Sequence, residues 1–148
     1  MPDLNHLIEC LPQDPPFRFL DTVERHAPHV EAAATRTFPS GDRIFEGHLP
    51  GRPIVPGVIL LEALAQLSAL VLLDGDPAVG RVMGFLAGVA RLRFYRRVGP
   101  DERVDLVSRL DRRLGSAAQF DVEASVGGER VLRGQITVGG ITGDLPTA

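Results

Sequence analysis

A chain of 148 residues is the size of one domain with room for a sizeable core, and 44% hydrophobic content excludes disorder as its main state. Its net charge of −3 leaves no footprint for nucleic acid, and sixteen arginines without one lysine remove Schiff-base chemistry and a phosphate-loop lysine. Cys10 is the lone cysteine, so no internal disulfide can form and a reducing cytoplasm is the expected setting.

In chain order, Asp3–Leu11 predicts a short amphipathic helix with Asp3 as its N-cap. The start lacks the basic-then-apolar pattern of a secretory signal. His6 and Cys10 stand four apart, but Cys10 reads as a small apolar residue rather than half of a nucleophilic pair. Pro12, Pro15 and Pro16 enforce an extended loop, and 17–26 and 29–38 predict two strands joined at Ala27-Pro28. His26 and His29 could be taken for metal ligands. The proline kink and the lack of carboxylates at ligand spacing argue against it, so no metal is expected.

Residues 39–57 form a long segment rich in Pro and Gly, stiff at some points and permissive at others. A loop of that length inside a small domain is usually functional. Pro56-Gly57 opens a helix that runs to Leu73, where Asp74-Gly75-Asp76-Pro77 ends it. It is apolar on every face, so it must be enclosed, and it is slightly short to cross a membrane. Four strand-like runs follow, 81–97, 103–113, 117–126 and 130–138, with Gly127-Gly128 as a hairpin turn and a frayed tail over 139–148. The sum is a single α+β domain over 1–148, an antiparallel sheet wrapped around one buried helix. A free sheet edge would invite dimerisation by strand addition.

Two long polar side chains interrupt the apolar helix, Glu62 and Gln66, one turn apart on one face. A carboxyl among leucines is desolvated, which favours its protonated form and makes it a proton donor near neutrality. His48, on the stiff loop Gly47–Gly57, is the natural neutral base. Free amides at the helix start, that of Gly57 above all, suit a carbonyl oxygen gaining negative charge. Residues 81–113 carry nine arginines against four carboxylates, with Arg91, Arg93, Arg96 and Arg97 the densest group.

The run Gly47-His48-Leu49-Pro50-Gly51-Arg52-Pro53-Ile54-Val55-Pro56-Gly57-Val58, with Glu62-Ala63-Leu64-Ala65-Gln66, resembles the signature of the 3-hydroxyacyl-acyl-carrier-protein dehydratases of type II fatty acid synthesis. Leu11-Pro12, Pro16-Phe17 and Leu20-Asp21 are similar to that family's N-terminal segment. Phe85-Leu86-Ala87-Gly88-Val89 with Arg93-Phe94 is similar to its second block. The resemblance implies a hot-dog fold and a homodimer, with His48 taking the α-proton of a 3-hydroxyacyl thioester and Glu62, from the other subunit, protonating the departing hydroxyl. It further implies that the Gly57 amide polarises the thioester carbonyl and that Pro56, Gln66, Phe85, Ala87 and Gly88 line the substrate slot. No cofactor is implied beyond the phosphopantetheine arm, which arrives on an acyl carrier protein. That acidic partner would dock on Arg91, Arg93, Arg96 and Arg97. Glu at position 62, rather than Asp, favours the plain dehydratase over a dehydratase/isomerase. Gln13 departs from the family's usual His, Leu49 from its usual Phe and Ala90 from a common acidic residue. A hot-dog thioesterase and a non-catalytic acyl-binding partner subunit are the alternative readings.

Overall fold

One helix and six antiparallel strands make up the computed structural model, which describes residues 3–74 and 83–142. The strands are β1 (Thr22–Ala27), β2 (Glu31–Thr37), β3 (Met83–Phe94), β4 (Arg103–Leu114), β5 (Ala117–Val126) and β6 (Glu129–Thr142); the helix α1 spans Gly57–Val71. They lie in one sheet in the order β1-β2-β4-β5-β6-β3, so β1 and β3 are its edges. The sheet curls around α1, whose closest strands are β2, β4 and β5. This is the hot-dog arrangement.

Local chemistry explains the wrapping. Val104, Leu106 and Ser108 alternate inward on β4, as do Ala118, Phe120, Val122 and Ala124 on β5, the period that buries one sheet face. Ala32 and Ala34 on β2 are buried too, and their small side chains let the helix approach the sheet backbone. Where helix and sheet meet, Ser68 Oγ donates to the Leu64 carbonyl at 2.8 Å and shares a 2.6 Å hydrogen bond with Ser108 Oγ. That contact satisfies two hydroxyls inside the core. Register shifts between Leu86 and Gly88 and between Ala90 and Arg93 add bulges to β3, the kind of irregularity that increases twist and bends a strand.

Several boundaries differ from the sequence reading. The N-terminal element is a 3-10 turn over Asn5–Cys10 whose N-cap is Leu4, without a side-chain cap, rather than Asp3, whose carboxylate accepts from the Asn5 amide at 2.9 Å one residue earlier. Cys10 Sγ lies 3.9 Å from the His6 carbonyl while the His6 ring sits 3.1 Å from the Asp3 carbonyl, so thiol and imidazole are not paired with each other. β6 continues to Thr142, past the Gly139 where the tail was expected to start; 143–148 lie outside the described residues. α1 ends at Val71 with Leu72 as its C-cap, short of the expected stop at Asp74-Gly75-Asp76-Pro77, of which only Asp74 is among the described residues. His26 Nε2 donates to the Leu70 carbonyl at 2.8 Å, and His29 donates its amide to the Val71 carbonyl while its ring pairs with Asp74 at 2.7 Å. Both histidines therefore secure the C-terminal end of α1, where cations and donors are favoured. Gly127 and Gly128, at φ 57° and 83°, form the tight turn between β5 and β6. No helix among the described residues is long and apolar enough to cross a membrane.

The helix is less enclosed than its composition suggests. Val58 is 72% exposed, and the face bearing Glu62, Ala65 and Ala69 is only half-buried. A curled sheet covers one side of a rod, so the remaining face needs another cover.

Candidate active site

Pro56 precedes α1, and its carbonyl accepts from the amides of Ile59 (2.9 Å) and Leu60 (3.4 Å). The amides of Gly57 and Val58 then have no backbone acceptor among the described residues, as expected for a first helical turn. A β-carbon at Gly57 would stand 2.8 Å from the ring of Phe94. Only glycine allows the end of β3 to close on the helix start.

Glu62 faces a cavity of about 260 Å³. Ala65, Ala69 and Leu72 form its helix side, Phe85 and Leu86 come from β3, and Val138 comes from β6. Its polar side chains are Glu62, Gln66 and Gln13. Burial pushes the Glu62 carboxyl above the usual carboxylate range, and a weaker opposing pull comes from its hydrogen bond with Gln66. A raised carboxyl facing an apolar slot is suited to hold and release a proton.

Gln66 is 2% exposed and uses its amide fully. Its Oε1 accepts from the Phe19 amide at 2.9 Å, and its Nε2 donates to the Phe17 carbonyl at 2.9 Å and to Glu62 Oε1 at 3.2 Å. Both donors and one lone pair are thus committed, and the amide orientation follows from those partners. Gln66 lines the cavity while tying the N-terminal segment to the helix and orienting Glu62.

The other expected residues fall as follows. His48 is half-buried on the loop after the short 3-10 turn Arg43–Phe45 and does not line the cavity of its own chain. Phe85 lines it and is 62% exposed; Ala87 and Gly88 lie farther along the same edge strand, outside the lining. Pro56 serves as the helix N-cap residue. Arg91, Arg93 and Arg97 are exposed, and Arg91 adopts φ 53° at a bulge. Arg96 is engaged internally, 2.7 Å from Glu102 and 3.9 Å from Glu129. The Glu102 carboxyl is held below its usual range, first by the Gly99 amide and then by Arg96. The sequence reading missed Ala65, Ala69 and Gln13 as site residues. The small pair had a signal: positions 62, 65, 66 and 69 share one helix face, and alanine there leaves space.

The raised pKa of Glu62 carries a stability prediction. Between the ordinary carboxylate value and the raised one, the folded chain binds more protons than the unfolded chain, so this contribution falls as pH rises through that window. Glu62→Gln should remove the decline, read as a flatter pH profile of the urea midpoint than the unmodified protein shows. Identical profiles would contradict the burial argument.

A sheet wrapped on one helix, with a half-buried carboxyl on that helix at the wall of a cavity, defines a hot-dog protein. A family model described as a FabA-like domain matches residues 11–135. The chain is 34% identical over 137 residues to 3-hydroxyacyl-acyl-carrier-protein dehydratase FabZ of Oceanobacillus iheyensis, covering 93% of this chain and 97% of the relative. It is 32% identical over 135 residues to the FabZ of Polynucleobacter necessarius, with 91% and 90% covered. Among solved structures, the dehydratase heterocomplex ApeI:P from Xenorhabdus doucetiae superposes with a TM-score of 0.74 at 17% identity, over 99% of this chain and 93% of that one. A hypothetical thioesterase with coenzyme A from Streptococcus pneumoniae gives 0.63 at 14% identity, over 84% and 87%. At such identities the structural likeness speaks for the fold alone. The chain belongs to the FabA-like family.

Proposed function

We propose that this protein is a lyase that reversibly dehydrates 3-hydroxyacyl thioesters on an acyl carrier protein to trans-2-enoyl thioesters, within fatty acid or related lipid synthesis in the cytoplasm. The observation that carries the reading is Glu62, its carboxyl raised by burial at the wall of an apolar cavity, in a chain of the FabA-like family. In the elimination, a neutral His48 takes the α-proton and the C–H electron pair forms the new double bond. The C3–O bond breaks as Glu62 delivers its proton, so water leaves. The Gly57 amide steadies the carbonyl oxygen as charge gathers there. Transfer of the proton from His48 back to Glu62 through solvent restores the site.

Two copies are needed on this reading. β3 is an edge strand whose Phe85, Leu86 and Val89 are all exposed, and an apolar edge with unpaired backbone groups favours pairing with its like. Pairing at β3 would cover the open face of α1 and bring the partner subunit's His48 to the cavity.

The carrier protein is expected on the outer face of β3 and β6. Arg93 and Arg133 are direct partners in the strand register and border a surface depression with Arg91 and Tyr95. Like charges opposed across a strand pair repel; Glu123, opposite Arg133 on β5 and in the same depression as Asp121, offsets part of that repulsion, and an acidic carrier would offset more. The test is an ultraviolet assay at the enoyl band with carrier-bound 3-hydroxyacyl substrates of graded length. Enoyl formation supports the proposal, while release of free thiol without enoyl absorbance points to a thioesterase. Arg93→Ala with Arg97→Ala should raise KM for carrier-bound substrate by about tenfold, the scale of lost charge-assisted contacts, and leave a short thioester mimic unaffected. Equal effects on both substrates would remove these arginines from docking.

A further inference from the structure

The loop that carries His48 runs from the end of β2 at Thr37 to the helix start at Gly57. At its beginning, the Asp101 amide donates to the Phe38 carbonyl at 2.8 Å, and Asp101 Oδ1 accepts from the Ser40 amide at 3.2 Å. At its end, the Val55 amide donates to the Val98 carbonyl at 2.8 Å. Between Glu46 and Val55, the one backbone hydrogen bond among the described residues joins the Arg52 amide to the Leu49 carbonyl, inside the tip itself. A β-carbon at Gly47 or Gly51 would meet nothing within 4 Å, so the tip is open. The anchor nearest to His48 along the chain is the 3-10 turn Arg43–Phe45, three residues before it.

Asp42 fixes that turn with both carboxylate oxygens. Oδ1 caps it by accepting from the Ile44 amide at 3.0 Å, and Oδ2 accepts from Arg36 Nη2 at 3.3 Å. Arg36 is itself held from several sides. Its Nη1 donates to Asp21 Oδ1 at 2.8 Å, and its guanidinium lies 4.6 Å from the Phe38 ring and 5.8 Å from that of Phe19. Asp21 in turn accepts from the Thr37 amide at 2.7 Å. The Arg36 side chain is only 15% exposed, and its Nε is buried without a partner. Keeping that donor unmatched is costly and calls for an explanation. An ion pair so enclosed is screened less than one in open solvent. We infer that Arg36 is a positioning residue for His48: through Asp42 it fixes the turn from which the base-bearing tip departs. The inference rests on the dehydratase reading and deepens it. Arg36 and Asp42 exchange no proton with substrate; they hold the imidazole at reacting distance, where a shift of about 1 Å can cost about 10²-fold.

Asp42→Asn separates the clamp from the cap, because asparagine still caps the turn but no longer carries the charge that faces Arg36. His48 serves dehydration as base and hydration as acid, so the variant should lower kcat about tenfold in both directions and leave both KM values unchanged. Hydrogen exchange across 43–54 should quicken about tenfold while β4 and β5 keep their protection. Asp42→Glu keeps the charge and should recover most of the turnover. Arg36→Lys, whose single ammonium cannot serve Asp21 and Asp42 as the forked guanidinium does, is the second variant should the asparagine one fail to fold, and it should show the same losses. Wild-type kcat for the asparagine or lysine variant would overturn the inference, as would a lowered kcat with unchanged exchange over 43–54. A harmless Asp42→Asn beside a damaging Asp42→Glu would assign the effect to the cap and overturn it too. An unmodified protein that neither dehydrates nor hydrates would instead overturn the dehydratase reading beneath it, a result that the exchange measurement does not depend on.

Discussion

Glu62→Gln is expected to lower dehydration turnover by about 10²-fold or more, and His48→Ala by a similar factor, with the secondary structure of both variants intact. The glutamine keeps the shape of the acid and can still meet Gln66, so the loss would report the missing proton rather than a disturbed helix. Mixing the two inactive variants is the sharper experiment. If base and acid meet across a subunit boundary, each mixed dimer regains one sound site, and random exchange should return about a quarter of wild-type activity. Mixtures as inactive as their components, after demonstrated subunit exchange, would show that both groups act within one chain.

Gln66→Leu should be the most damaging single change to stability in the site, costing about 3 kcal/mol in urea unfolding. It strands the Phe19 amide and the Phe17 carbonyl, two groups that the buried Gln66 satisfies, and each unsatisfied group costs about 1–3 kcal/mol. Phe19 packs edge-on against Phe17 at 4.8 Å and near Phe38 at 6.3 Å, with the Arg36 guanidinium 4.6 Å above the Phe38 ring. Loosening position 19 would therefore disturb a cluster well beyond one hydrogen bond. Because the Gln66 hydrogen bond works against the burial effect on Glu62, the variant should also move the upper limb of the pH–rate profile toward higher pH. An unchanged limb would mean that Gln66 serves the fold and not the acid.

Much of this was legible in the residues. The apolar stretch after Gly57 declared a wrapped helix, and the Phe120, Val122, Ala124 alternation declared an inward sheet face. The pairing of Glu62 with Gln66 followed from one helical turn. Strand order did not, since β3 precedes β4 in the chain yet pairs with β6 at the far edge. Such a jump depends on tertiary closure, which periodicity does not encode. Nor could spacing tell that Arg96 pairs with Glu102 and, at the surface, with Glu129 of its own chain while Arg91, Arg93 and Arg97 stay exposed. Gln13 was visible as a departure from a family habit. Its unpartnered oxygen emerged only once the N-terminal segment lay against the helix.

The anchoring of α1 has a consequence for size selection. At one end the helix meets the ring of Phe94, and at the other it is gripped through Leu70 and Val71 by the His26–His29 hairpin. A rod fixed at both tips cannot slide to fit longer guests. Leu72 stands ten positions past Glu62, about 15 Å farther along the axis at the ordinary helical rise, and both line the cavity. If the proposed acyl substrate enters this cavity, the bulk of residues 65 and 69, both alanine, would decide how much of that length its tail can fill.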